Sequence, residues 1–147
     1  MSEYIHKSHN VTVLLYHLVF PAKYRRVVFD EHVDEVLRDA CFGIEKRYQI
    51  KFLEIGTDKD HVHFLVQSVP TYSVTKIVTL IKSITARQVF RLCPHVKEKL
   101  WGGEFWTDGY FGGIVGKHGN ENMIAKYVKK QGDEYKELHK NVQLTLF

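Results

Sequence analysis

The chain has 147 residues, 44% of them hydrophobic and 13% aromatic, a globular composition that excludes a disordered or fibrous protein and suits one domain with a real core, spanning 1–147. Lys and Arg number 21 against 17 Asp and Glu, for a formal charge of +4, which favours an anionic partner without naming one. The two cysteines, Cys41 and Cys93, are too far apart for a zinc knuckle or a disulfide framework, and no apolar run reaches the length of a signal peptide or a membrane span, so a soluble cytoplasmic protein without a membrane partner is expected.

Val11 to Phe20 is rich in valine, leucine and aromatics and reads as a buried strand that Pro21 ends. Just beyond it, Lys23, Arg25 and Arg26 surround Tyr24. Such a cluster can hold phosphates while the ring stacks on a base; a solvated turn explains it as well. Asp30 is a helix cap, and Val33, Val36, Leu37, Ala40, Cys41 and Ile44 follow at helical spacing to about Tyr48. Ile50 to Thr57 reads as a strand, and Asp58-Lys59-Asp60 as a polar turn closing a hairpin with the next strand.

That next strand is Asp60-His61-Val62-His63-Phe64-Leu65-Val66-Gln67. Alternation puts His61 and His63 on one face and Val62, Phe64 and Val66 on the other. Two imidazoles projecting from a rigid strand suit two ligands of one divalent cation, leaving positions for a protein group, water or a phosphate oxygen. A pair of surface or hydrogen-bonded histidines on the polar side of an amphipathic strand is the competing account.

Ser73 caps a second helix over about Val74 to Leu92, with an apolar stripe of Ile77, Leu80, Ile81, Ile84, Val89 and Leu92 and a basic side that solvation largely explains. Cys93-Pro94 stops it. The segment from Leu100 to Gly116 is dense in aromatics and glycine, Tyr110 to Val115 being the best candidate for a strand. Its aromatics can stack on bases, although Phe111 fits better as a core residue. A last helix is expected from near Asn120 past Gln131, placing Tyr127 and Gln131 one turn apart on one face. The remainder, from Glu134, is charged and then apolar; it docks on a partner subunit or frays.

The order strand, helix, strand, strand, helix, strand is that of an α+β, ferredoxin-like (RRM-like) antiparallel sheet with helices on one face. The C-terminal helix carrying the tyrosine is an addition. If His61 and His63 hold a metal with Gln131 as third ligand, Tyr127 is placed to attack a phosphodiester, and the bond energy kept in a phosphotyrosine link allows rejoining without ATP. A phenol is a poor nucleophile near neutral pH, and Tyr127 taken alone is better read as a core residue.

Four blocks shift that balance: Tyr16-His17-Leu18-Val19-Phe20 with Lys23-Tyr24-Arg25-Arg26, Asp60-His61-Val62-His63, Gly109-Tyr110-Phe111 with Val115-Gly116, and Tyr127-Val128-Lys129-Lys130-Gln131. In this order they resemble the single-tyrosine HUH transposases, most closely transposase A (TnpA) of the smallest bacterial insertion sequences. Ile114 departs from the small polar residue common in the family before the Val-Gly pair. The resemblance implies His61 and His63 as the metal-binding pair, Gln131 as helper ligand and Tyr127 as the nucleophile that takes the 5′-phosphate. It further implies magnesium or manganese, a homodimer whose active sites can be shared, and single-stranded DNA recognised through hairpins at the element ends in a bacterial cytoplasm. Lys23, Arg25 and Arg26 are then candidate DNA contacts. Two other readings stand beside it: a non-catalytic protein that binds single-stranded nucleic-acid hairpins, and a phosphoesterase in which water attacks.

Overall fold

The computed structural model describes residues 14–100, 103–116 and 136–140. In chain order these form β1 (Leu14–Pro21), a 3-10 turn (Lys23–Arg25), α1 (Glu31–Arg47), β2 (Ile50–Thr57), β3 (His61–Ser68), α2 (Val74–Leu92), α3 (Pro94–Lys99), β4 (Phe111–Gly116) and β5 (Lys136–Lys140). The strands make one sheet in the order β4-β1-β3-β2-β5, each neighbour antiparallel to the next. Its first four strands have the order and directions of the ferredoxin-like fold, with β3 inserted between β1 and β2. The expected tyrosine helix, with Tyr127 and Gln131, lies outside the described residues.

Local chemistry explains the helix starts. Asp30 accepts a hydrogen bond from the Val33 amide at 2.9 Å, and Ser73 accepts from the Lys76 amide at 3.0 Å, each satisfying an otherwise orphaned helix donor. From α1, Val33, Val36, Leu37, Cys41 and Ile44 enter the core, and from α2 Ile77, Val78, Ile81, Ile84 and Val89. Against them lie Tyr16, Leu18 and Phe20 of β1, Phe52 and Ile55 of β2, and Val62, Phe64 and Val66 of β3. Trp106 joins this core, and its indole N–H donates to Thr85 Oγ1 at 3.0 Å, so its polar edge is satisfied. Leu15, Leu53 and Leu65 form a separate small cluster on the opposite face.

Cys93-Pro94 stops α2 as expected, and Pro94 also occupies the first turn of a further short helix, α3, where its missing N–H costs nothing. Three expectations need correction. Part of the charged tail forms β5, an edge strand paired with β2. Lys136 reaches the nearly buried Asp34 at 3.1 Å, and the ring of His139 hydrogen-bonds the Phe52 carbonyl at 3.0 Å. Phe111 is 66% exposed rather than in the core; it stands opposite Val19, on the face away from the helices. Leu92, expected on the apolar stripe, is exposed at the end of α2. Among the described residues no helix is long and apolar enough to cross a membrane.

Gly112 fixes the approach of β4 to β1. Its φ is +148°, and a Cβ at this position would fall on the carbonyl oxygen of His17. Gly112→Ala is therefore expected to destabilise the fold by about 1–3 kcal/mol, read as a lowered urea midpoint; an unchanged midpoint would show that β4 can shift freely.

Candidate metal centre

The helix face of β3 is filled by Val62, Phe64 and Val66, so alternation turns His61, His63, Leu65 and Gln67 to the other face. On that face His63 stands opposite Val19 of β1 and Gly56 of β2 and is fully buried. His61, at the start of the strand, keeps 17% of its side chain accessible. The shared face expected for the two histidines is therefore present.

Two further polar groups converge on His63. The ring of His17 meets it edge-on, with centroids 5.4 Å apart, and Glu54 brings Oε1 to 3.3 Å from His63 Nε2. Glu54 is wholly buried, and neither of its carboxylate oxygens makes a hydrogen bond of acceptable geometry. Burial, then the proximity of His63, pushes His17 down to about 4, so it is neutral near pH 7.

His61 is held differently. The Asp60 carboxylate accepts from its Nδ1 at 2.8 Å, and Asp60 accepts in turn from Arg25 Nε at 3.0 Å. The His61 hydrogen bond lowers the Asp60 pKa, with Arg25 adding to it against an opposing effect of burial. An ionised carboxylate only accepts, so Nδ1 carries the proton and Nε2 is the ring nitrogen able to coordinate a metal. This is the carboxylate–histidine arrangement that orients metal ligands.

The turn that supplies Arg25 is docked on the β2–β3 turn. The Ala22 amide donates to the Asp60 carbonyl at 2.8 Å, and the Val28 and Phe29 amides both donate to the Lys59 carbonyl. Tyr24 and Arg25 have φ of 58° and 53°, a left-handed backbone that costs non-glycine residues on the order of 1 kcal/mol or more each.

The three cations of the sequence cluster are thus placed differently. Lys23 lies 3.3 Å from Glu104 and 3.8 Å from Asp108, and Arg25 supports Asp60. Arg25, Arg26, Tyr24, Val27 and Lys99 line an open groove of about 780 Å³. Lys82, by contrast, ties down the loop before β4, donating to the carbonyls of Thr107, Asp108 and Gly109 at 2.7, 3.2 and 2.8 Å.

These groups fit a divalent cation. The donors are imidazole nitrogens and carboxylate oxygen, and the Glu54 oxygens are buried acceptors without hydrogen bonds that a cation would satisfy. Among the described residues no three His, Cys, Asp or Glu side chains already form a cage. Gln131, the expected third ligand, and Tyr127, the expected nucleophile, lie outside the described residues. The roles of Glu54 and Asp60 escaped the sequence reading. The available signal was an acid inside the apolar run Phe52-Leu53-Glu54-Ile55.

Two outcomes follow from this geometry. Asp60→Ala is expected to weaken Mn²⁺ binding about 10–100-fold and to give His61 a mixture of tautomers by ¹⁵N NMR of the metal-free protein; unchanged affinity and tautomer would remove the orienting role. His17 titrates near 4 when folded and at 6.5 as a model group, so the unfolded chain binds the extra proton between these values. Its contribution to stability is complete above about pH 6.5 and is lost as pH falls toward about 4, by up to about 1.4 kcal/mol per pH unit. Urea titrations without metal are expected to show this slope reduced in His17→Gln; parallel profiles would contradict it.

Comparison with known proteins identifies the family. The family model described as "Transposase IS200 like" matches residues 10–131. The chain is 32% identical over 121 residues to the ISDra2 transposase TnpA of Deinococcus radiodurans, covering 82% of this chain and 86% of that protein. It is 32% identical over 125 residues to the transposase of insertion sequence element IS200 from Salmonella typhimurium, covering 82% and 78%. The structure resembles that of a candidate transposase from Deinococcus radiodurans, with a TM-score of 0.68 and 26% identity over 88% of this chain and 97% of that one. A REP-associated tyrosine transposase, solved bound to a REP hairpin, shares the fold with a TM-score of 0.53 at 12% identity, over 88% and 74%. The chain belongs to the family of IS200-like transposases.

Proposed function

We propose that the protein is a single-tyrosine HUH transposase, one domain over 1–147, that cuts and rejoins single-stranded DNA at the ends of its insertion sequence. The observation that carries this reading is the placement of His61 and His63 on one face of β3, with the His61 ring fixed by Asp60 and Arg25. His61 and His63, with Gln131, would hold magnesium or manganese, which when bound withdraws charge from the scissile phosphodiester.

The chain's own part in the reaction is positioning and attack. The Tyr127 phenolic oxygen attacks phosphorus, the bond from phosphorus to the 3′-oxygen breaks, and the phenolic proton is passed on as the 3′-hydroxyl leaves. A 5′-phosphotyrosine link remains. Attack on it by a 3′-hydroxyl of another strand frees Tyr127 and rejoins DNA, so no ATP is consumed.

Lys23, Arg25 and Arg26 are the proposed DNA contacts. The groove that Arg25 and Arg26 line with Lys99 carries an exposed tyrosine, Tyr24, a combination suited to backbone and base. Phe111, exposed on the histidine face, offers a second stacking ring. Hairpin recognition is supported by the fold shared with the hairpin-bound REP-associated enzyme. Action as a homodimer in the bacterial cytoplasm completes the reading.

The test is incubation with labelled single-stranded DNA carrying the element ends, with and without Mg²⁺, followed by a denaturing gel. A metal-dependent protein–DNA band that Tyr127→Phe abolishes, with DNA binding kept, is expected. Cleavage without the band would assign the attack to water, and binding without cleavage would leave a hairpin-binding protein.

A further inference from the structure

We propose that Glu54 is a ligand of the divalent cation beside His63, so that β2 contributes a carboxylate to a centre otherwise built from imidazole and amide. The proposal rests on the metal-dependent reading above and deepens it.

Ile50 and Phe52 of β2 enter the core on the helix face, and simple alternation would send Glu54 after them. Between Phe52 and Glu54 the pairing with β3 shifts, inserting one extra residue, and Ile55 rather than Glu54 enters that core. Glu54 instead stands opposite Leu65, on the histidine face. A bulge that re-aims one side chain is a recurring device beside active sites.

What the bulge delivers is a poor structural residue. Glu54 is fully buried and both oxygens lack hydrogen bonds; of its two register partners, Leu65 has no side-chain donor and Lys140 of β5 directs its Nζ to Glu137 at 3.9 Å. Buried carboxylates are ordinarily paired, hydrogen-bonded or bound to a metal.

The separation from His63 suits the third of these. Adjacent ligands of an octahedral ion with bonds of 2.0–2.1 Å lie about 3 Å apart, and Glu54 Oε1 is 3.3 Å from His63 Nε2. A carboxylate also shifts the preference of an imidazole site toward magnesium and manganese, which favour oxygen.

The experiment compares the full-length wild type, Glu54→Gln and His63→Ala by calorimetric Mn²⁺ titration, and measures melting of each after chelation. Glutamine keeps the shape of Glu54 and removes its charge. Wild type should bind Mn²⁺ and His63→Ala should lose that binding. Glu54→Gln should bind at least about tenfold more weakly, while its metal-free melting temperature stays level or rises. Wild-type affinity in Glu54→Gln would overturn the proposal and leave the histidine centre standing. A lowered metal-free melting temperature in Glu54→Gln would also overturn it, assigning the carboxylate to a structural pair with His63. No Mn²⁺ binding by the folded wild type would overturn the metal-dependent reading itself, and the proposal with it.

Discussion

The central constraint is that β3 is paired along both edges, with β1 on one side and β2 on the other, and is buried on both faces over most of its length. Val62, Phe64 and Val66 are fully buried on the helix side, each worth about 1.5–3 kcal/mol relative to exposure. A register slip of one residue would turn them out and bring His63, Leu65 and Gln67 into the helix-side core. The core therefore decides which way the histidines point, and the geometry of the candidate centre is inherited from hydrophobic packing.

Buried polar groups are unevenly distributed between the two faces of the sheet. Toward the helices, Trp106 is paired with Thr85, while Asp34 Oδ1 and Thr57 Oγ1 lack hydrogen bonds. On the histidine face, Glu54 and Gln67 are buried with their side-chain polar atoms lacking hydrogen bonds, and beside that face Tyr24 and Arg25 hold left-handed backbone. Costs of this kind concentrate where a structure serves a ligand. The strained turn has a physical return, since it directs Arg25 to Asp60 and so fixes the His61 ring.

Much of this was legible in the sequence, for reasons that can be named. Helical spacing and the caps Asp30 and Ser73 placed α1 and α2, and alternation across His61 to Val66 gave the two faces of β3. The strand β5 was hidden because Lys136 to Lys140 has neither alternation nor apolar residues beyond Leu138; it is held by pairing to β2 and by polar contacts with distant elements. Phe111 misled because an aromatic beside glycines resembles core, whereas its register opposite Val19 sends it to the open side. The acid Glu54 stands out within its apolar run, but the face it takes was illegible because the bulge reverses the parity of β2, and a register shift leaves little trace in composition. The acid Asp60 looked like turn chemistry; only the fold brings Arg25, 35 residues away, onto it.

The central claim is that His61 and His63 together bind one divalent cation on the face of the sheet away from the helices. Pulsed EPR of Mn²⁺ bound to the full-length protein tests it most directly, because directly bound imidazole nitrogen leaves a resolvable coupling to the ion. The account predicts coupling from two imidazole nitrogens, reduced to one in each single histidine variant. A bound Mn²⁺ with no nitrogen coupling, or with a signal that neither variant changes, would contradict it.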